Sequence, residues 1–172
     1  MHQTSIKSLT VNPRKRLTFT RLGLRQLVSE ESVRNSIIVW LSQNDYELRL
    51  VASTRGRPSI SRRRGRPHAV KPPDLIAKRH GQNYYYFIEA KGDPATTTKF
   101  YEVIGEILIQ MARTTPAAYG VALPISYKPI ILQLLSLRAW HRAGFRILIT
   151  KNHQVVEMAP SALSFDRLGQ LR

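Results

Sequence analysis

Two short apolar runs, Leu75–Lys78 and Tyr84–Ala90, are separated by the polar turn residues His80-Gly81-Gln82-Asn83. That pattern commits the middle of the chain to a strand–turn–strand hairpin. Side chains two apart on a strand share a face, so Glu89 and Lys91 project together. Antiparallel pairing of 74–79 with 84–89 brings Asp74, at the head of the first run, towards both. An acid that closes an aromatic strand is unexpected unless it is paired or liganded. Two carboxylates hold a hard divalent cation well, and a neighbouring lysine suits the activation or orientation of a water. The competing explanation is a Glu89–Lys91 salt bridge on an exposed face, with Asp74 as turn chemistry after Pro72-Pro73.

Helix and strand patterns alternate around this hairpin. Ser29 is a natural N-cap for a helix to about Gln43, on which Val33, Ile37, Trp40 and Leu41 form an apolar face. Glu30 falls on that face and Glu31 is turned away from it. Tyr46–Ala52 reads as a strand, and Ser53–Pro67 is a loop rich in Arg, Ser, Pro and Gly. After the turn Lys91-Gly92-Asp93-Pro94, Thr96–Thr98 cap a helix to about Arg113 with Phe100, Ile104, Leu108 and Met111 as its stripe. Ala117–Leu123 is a buried strand and Pro124–His141 is mainly helical. Phe145–Thr150 pairs with Val155–Met158 across Lys151-Asn152-His153. A short helix is expected near Leu22–Val28. The order α-β-β-β-α-β-α-β predicts an α/β sandwich around a mixed sheet.

The set Asp74, Glu89-Ala90-Lys91 resembles the PD-(D/E)XK nuclease superfamily, over roughly residues 29–150. The resemblance implies a restriction-endonuclease-like three-layer sandwich: a helix, a three-stranded meander, a helix and a further strand. It implies a Mg²⁺-dependent deoxyribonuclease, with Mn²⁺ substituting, in which Asp74, Glu89 and the Ala90 carbonyl hold the metal and Lys91 serves the attacking water. It also implies an acid from the first helix, for which Glu30 is the candidate against a bland role beside the helix dipole. Glu106 and Gln110, four apart on the following helix, are either a polar contribution to the site or an exposed stripe.

Charge points to the same partner. The chain has 172 residues and a formal net charge of +16, from 27 Lys and Arg against 11 Asp and Glu. An excess of that size calls for a polyanion, with nucleic acid first. Arg55-Gly56-Arg57-Pro58 and Arg64-Gly65-Arg66-Pro67, the second preceded by Arg62-Arg63, resemble AT-hook cores. Such segments lie along narrow minor grooves; the alternative is a basic loop gripping phosphates. Arg55, Arg57, Arg62, Arg63, Arg64 and Arg66 are therefore the candidate DNA contacts. There is no cysteine, so thiolate metal sites are excluded, and no apolar run approaches membrane-spanning length.

These readings divide the chain into a basic arm (1–28), a nuclease-like domain (29–158) and a C-terminal tail (159–172). They place it inside the cell, cytoplasmic or at the nucleoid. The leading function is a metal-dependent DNA endonuclease; the alternative is a non-catalytic DNA-binding protein on the same fold. Double-strand cutting by a one-site subunit calls for two copies, and the apolar hairpin around 145–158 is the sequence candidate for a homodimer interface.

Overall fold

A computed structural model describes residues 27–51, 72–112 and 117–171. Six strands form one mixed sheet in sequence order: β1 (Tyr46–Val51), β2 (Leu75–Arg79), β3 (Tyr85–Ala90), β4 (Ala117–Pro124), β5 (Arg146–Lys151) and β6 (Gln154–Met158). β1, β2 and β3 are an antiparallel meander, β3, β4 and β5 run parallel, and β6 returns antiparallel.

The helices are α1 (Glu30–Gln43), α2 (Thr97–Met111), α3 (Lys128–Leu134), α4 (Leu137–Ala143) and α5 (Ala162–Gln170). Side chains start most of them. Ser29 Oγ accepts from Ser32 N, Thr96 Oγ1 from Lys99 N, Ser136 Oγ from Ala139 N and Ser161 Oγ from Ser164 N. Each bond satisfies one of the donors that a helix leaves open at its first turn. Gly144, at φ 75°, ends α4 in the left-handed conformation that glycine adopts without a Cβ penalty.

Strand alternation sends the two faces of the sheet into separate cores. Val33, Ile37 and Leu41 of α1 pack on Leu75, Ala77, Tyr86, Ile88, Ala90 and Leu148. Tyr46 and Leu48 of β1 and Val155 of β6 join this cluster, so both sheet edges curl round α1. The opposite face carries Val121, Leu123, Ile147 and Ile149 under Phe100, Val103 and Ile107 of α2, Ile131 of α3, Trp140 of α4 and Leu168 of α5.

Three sequence expectations are corrected here and one is refined. The core face of α2 is Phe100, Val103, Ile107 and Gln110, while Leu108 is 45% exposed. The stretch 124–141 is mainly helical, as expected, but divides into a short 3₁₀ turn and two helices, broken at Leu135 and Ser136, where the Ser136 hydroxyl starts α4. The 159–172 tail is not separate from the domain. It contains α5, whose Leu168 is fully buried and whose Gly169 carbonyl accepts from Lys128 Nζ at 2.7 Å. The 145–158 hairpin buries Phe145, Ile147, Ile149 and Met158 in the protein's own core, which removes them from any interface between copies. Among the described residues, no helix is long and apolar enough to cross a membrane.

Candidate active site

The β2–β3 hairpin has the expected register. Leu75 faces Ile88 and Lys78 faces Tyr85, so one further step sets Asp74 opposite Glu89. Asp74 Oδ2 accepts a 2.8 Å hydrogen bond from Ala90 N, which fixes the carboxylate against the end of β3. Both acids are nearly enclosed: Asp74 is 2% exposed and Glu89 1%. Phe87 packs in the α2-side core, stacked on Tyr119, and the period of two carries Glu89 and Lys91 to that same side. Lys91 Nζ is 2.8 Å from Glu106 Oε2 on α2, with 12% and 31% of the two side chains exposed. Lys91 therefore pairs with Glu106 on α2.

Gln110, one turn beyond Glu106, is 7% exposed, so this side of α2 is not an exposed polar stripe. A Cβ on Gly92 would lie 2.3 Å from Glu30 N, so the first turn of α1 abuts the end of the hairpin. Among the described residues, no three Asp, Glu or His side chains converge on a single metal position. Glu30 stands in the first turn of α1, where an acid complements the helix dipole.

The residue that the sequence reading passed over is Asp93. Its N–H donates to Val28 O at 2.7 Å, its Oδ2 accepts from Val28 N at 2.9 Å and its Oδ1 accepts from Ser126 Oγ at 2.5 Å. Lys99 Nζ holds its carbonyl at 3.2 Å. One side chain thereby ties the entry to α1, the end of β3 and the exit from β4. The signal was an acid two residues beyond the lysine of the motif, in a turn that needed none. Tyr127 closes the same corner, donating to Gly92 O at 3.2 Å. Burial, and then the charges of Asp93, Glu102 and Glu30, push its phenol up to about 12.

The six candidate arginines between Arg55 and Arg66 lie outside the described residues, as do residues 1–26 of the basic arm, including the Leu22–Gln26 part of the expected N-terminal helix. Their points of attachment are described. The 52–71 segment leaves from Val51, which pairs with Leu75, and returns at Pro72, two residues before Asp74. The 1–26 segment joins at Leu27, beside the Val28 that Asp93 holds. No family model matches the chain, and no curated protein or solved structure matches it either.

Proposed function

We propose that this protein is a metal-dependent DNA endonuclease of the PD-(D/E)XK type. The observation that carries the reading is the end of the β2–β3 hairpin: Asp74 opposite Glu89 and bonded to Ala90 N, with Lys91 on the Glu89 side of the strand. The run α1-β1-β2-β3-α2-β4 supports it, since it is the element order that the superfamily resemblance implies.

The donor set fits a small hard cation. Two nearly enclosed carboxylates and a backbone carbonyl are oxygen ligands, and Mg²⁺ characteristically takes one or two carboxylates and completes its shell with water and substrate phosphate. Asp74, Glu89 and the Ala90 carbonyl would hold it. Mg²⁺ there, or Mn²⁺ in its place, supplies charge neutralisation at the phosphate and a more acidic bound water. The chain's own residues do the rest. The Asp74–Ala90 bond fixes the Glu89–Ala90 peptide, and the Lys91 N–H, donating to Ala122 O at 3.0 Å, fixes the peptide that bears the third donor. Lys91 presents N–H donors to the attacking water and the phosphate oxygens, and Glu106 holds that ammonium in position.

Charge partition supports DNA as the substrate. All 11 acidic residues, but only 12 of the 27 Lys and Arg, lie in the described segments. The body is close to neutral, and the polyanion affinity resides in the basic segments that join it beside Asp74 and Val28. Binding through them falls steeply with salt. The same partition favours the second reading, a non-catalytic DNA-binding protein, and one experiment separates the two.

Supercoiled plasmid is incubated with the protein at low salt in Mg²⁺, in Mn²⁺ and in EDTA, with Lys91→Ala in parallel. Nicking or linearisation is expected with either metal and not with EDTA. Lys91→Ala is expected to lose it while retaining DNA binding. Retardation without cleavage in every metal, or unchanged cleavage by Lys91→Ala, overturns the assignment.

A further inference from the structure

A concavity opens at the same end of the sheet as the candidate active site, on the α1 side. It holds about 400 Å³ between the first turns of α1 and the β5–β6 turn. Ser32 and Ser36 form one wall, and Thr150, Lys151, Asn152 and His153 the other. Val28 and Ile125 add an apolar side, and among the described residues no carboxylate lines the space. The Ser36 hydroxyl donates to Ser32 O at 3.0 Å and that of Thr150 to Leu123 O at 3.5 Å. Both hydroxyls therefore have lone pairs to offer an N–H donor. Asn152 brings a donor and an acceptor together, and Lys151 brings a positive charge. A flat, weakly polar ring with amino and carbonyl edges, joined to a phosphate, matches that set: it is a nucleotide.

Position narrows the choice further. The cleft lies at the carboxyl ends of the parallel strands β4 and β5, where open α/β sheets bind their ligands. Its Val28 wall is clamped at both backbone atoms to Asp93, two residues beyond Lys91. Cleft and candidate active site are thus held in register by one rigid corner.

We infer that this cleft receives a single unpaired nucleotide of the DNA, so that the preferred substrate carries an extruded or unmatched base near the phosphate to be cut. The inference rests on the reading that the chain acts on DNA, but not on cleavage. Extruding a base from a perfect duplex costs its stacking and pairing, and a base already unpaired avoids most of that cost.

Anisotropy titrations of the full chain in EDTA compare a short duplex with the same duplex carrying one unpaired nucleotide. The wild-type protein is expected to prefer the latter by about tenfold. Asn152 sits at φ 48°, so Asn152→Gly removes the amide without straining the turn. Asn152→Gly and Lys151→Ala should each bring the two duplexes towards parity, and Asn152→Gly should leave affinity for the paired duplex unchanged. Equal binding of both duplexes by the wild type, or a preference that survives in both variants, overturns the proposal. Failure to bind either duplex overturns the DNA reading and this inference together. A preference retained by a cleavage-dead Lys91→Ala protein supports the cleft independently of the nuclease.

Discussion

The sheet carries a charged cluster at each end, and the two are built differently. At the amino ends of the parallel strands, on the α1 side, Glu157 accepts from Tyr86 Oη at 3.0 Å and from Arg146 Nη1 at 2.9 Å. The guanidinium also lies 5.9 Å from the Tyr86 ring centre. One acid, one base and one phenol satisfy one another. At the carboxyl end of β3, on the α2 side, Asp74, Glu89 and Glu106 gather around Lys91, which turns to Glu106. A balanced cluster stabilises the sheet and has nothing to offer a ligand. A cluster rich in carboxylates, at the point where two basic segments enter the fold, is suited to metal and phosphate. The contrast predicts that stability and activity can be removed separately.

The largest effect expected is on cleavage. Lys91→Ala or Glu89→Gln should lower it by about 10²–10⁴-fold, with thermal unfolding and DNA affinity close to wild type. A substantial loss of stability with either variant would mean that this cluster is structural like its counterpart, and the contrast would fail. Gly92→Ala tests the corner that joins α1 to the site. The added Cβ would lie 2.3 Å from Glu30 N and 2.7 Å from Val28 O, both backbone atoms. The first turn of α1 must move, at a cost of about 3 kcal/mol, and cleavage should fall as well. Circular dichroism melts alongside plasmid nicking would show both losses.

How much of this was legible beforehand differs along the chain for physical reasons. The hairpin and its register followed from apolar runs bounded by a four-residue polar turn, and a register of period two leaves little freedom in where Asp74 meets Glu89. The phase of α2 was not legible. Val103, Ile104, Ile107, Leu108 and Ile109 surround the helix with apolar side chains, so several stripes compete, and only the position of the sheet chooses among them. Glu106 was visible as a polar position, but its partner on β3 belongs to tertiary structure. Asp93 was concealed by its setting, because an Asp before Pro reads as turn chemistry whatever else it holds. The break before α4 turned on a single serine inside an apolar run.

Alkaline pH gives a medium-sized test with one tyrosine in each cluster. Burial raises Tyr127 to about 12, beside Gly92, and raises Tyr86 well above its ordinary value, beside Glu157. Folded and unfolded chains both keep these protons below about pH 10. Above it the unfolded chain releases them while the folded chain does not, so unfolding gains free energy and stability falls. Tyr127 alone should remove roughly 2–3 kcal/mol between pH 10 and 12, and Tyr127→Phe should flatten that part of a denaturant-midpoint profile. An unchanged slope would mean that the phenol is not enclosed at the site corner.

The smallest effect completes the contrast. In Glu157→Ala, Tyr86 Oη and the Arg146 guanidinium lose their common acceptor. The phenol is fully buried and must forgo a hydrogen bond, whereas the half-exposed guanidinium can turn to water. A loss of about 2 kcal/mol follows, or a melting point lower by about 4–8 °C for a domain of this size. Because the cluster lies at the opposite end and on the opposite face of the sheet, plasmid nicking per folded molecule should be unchanged. A variant that melted early and also lost cleavage would show that the sheet transmits strain from one end to the other, and the two clusters would then have to be treated as one unit.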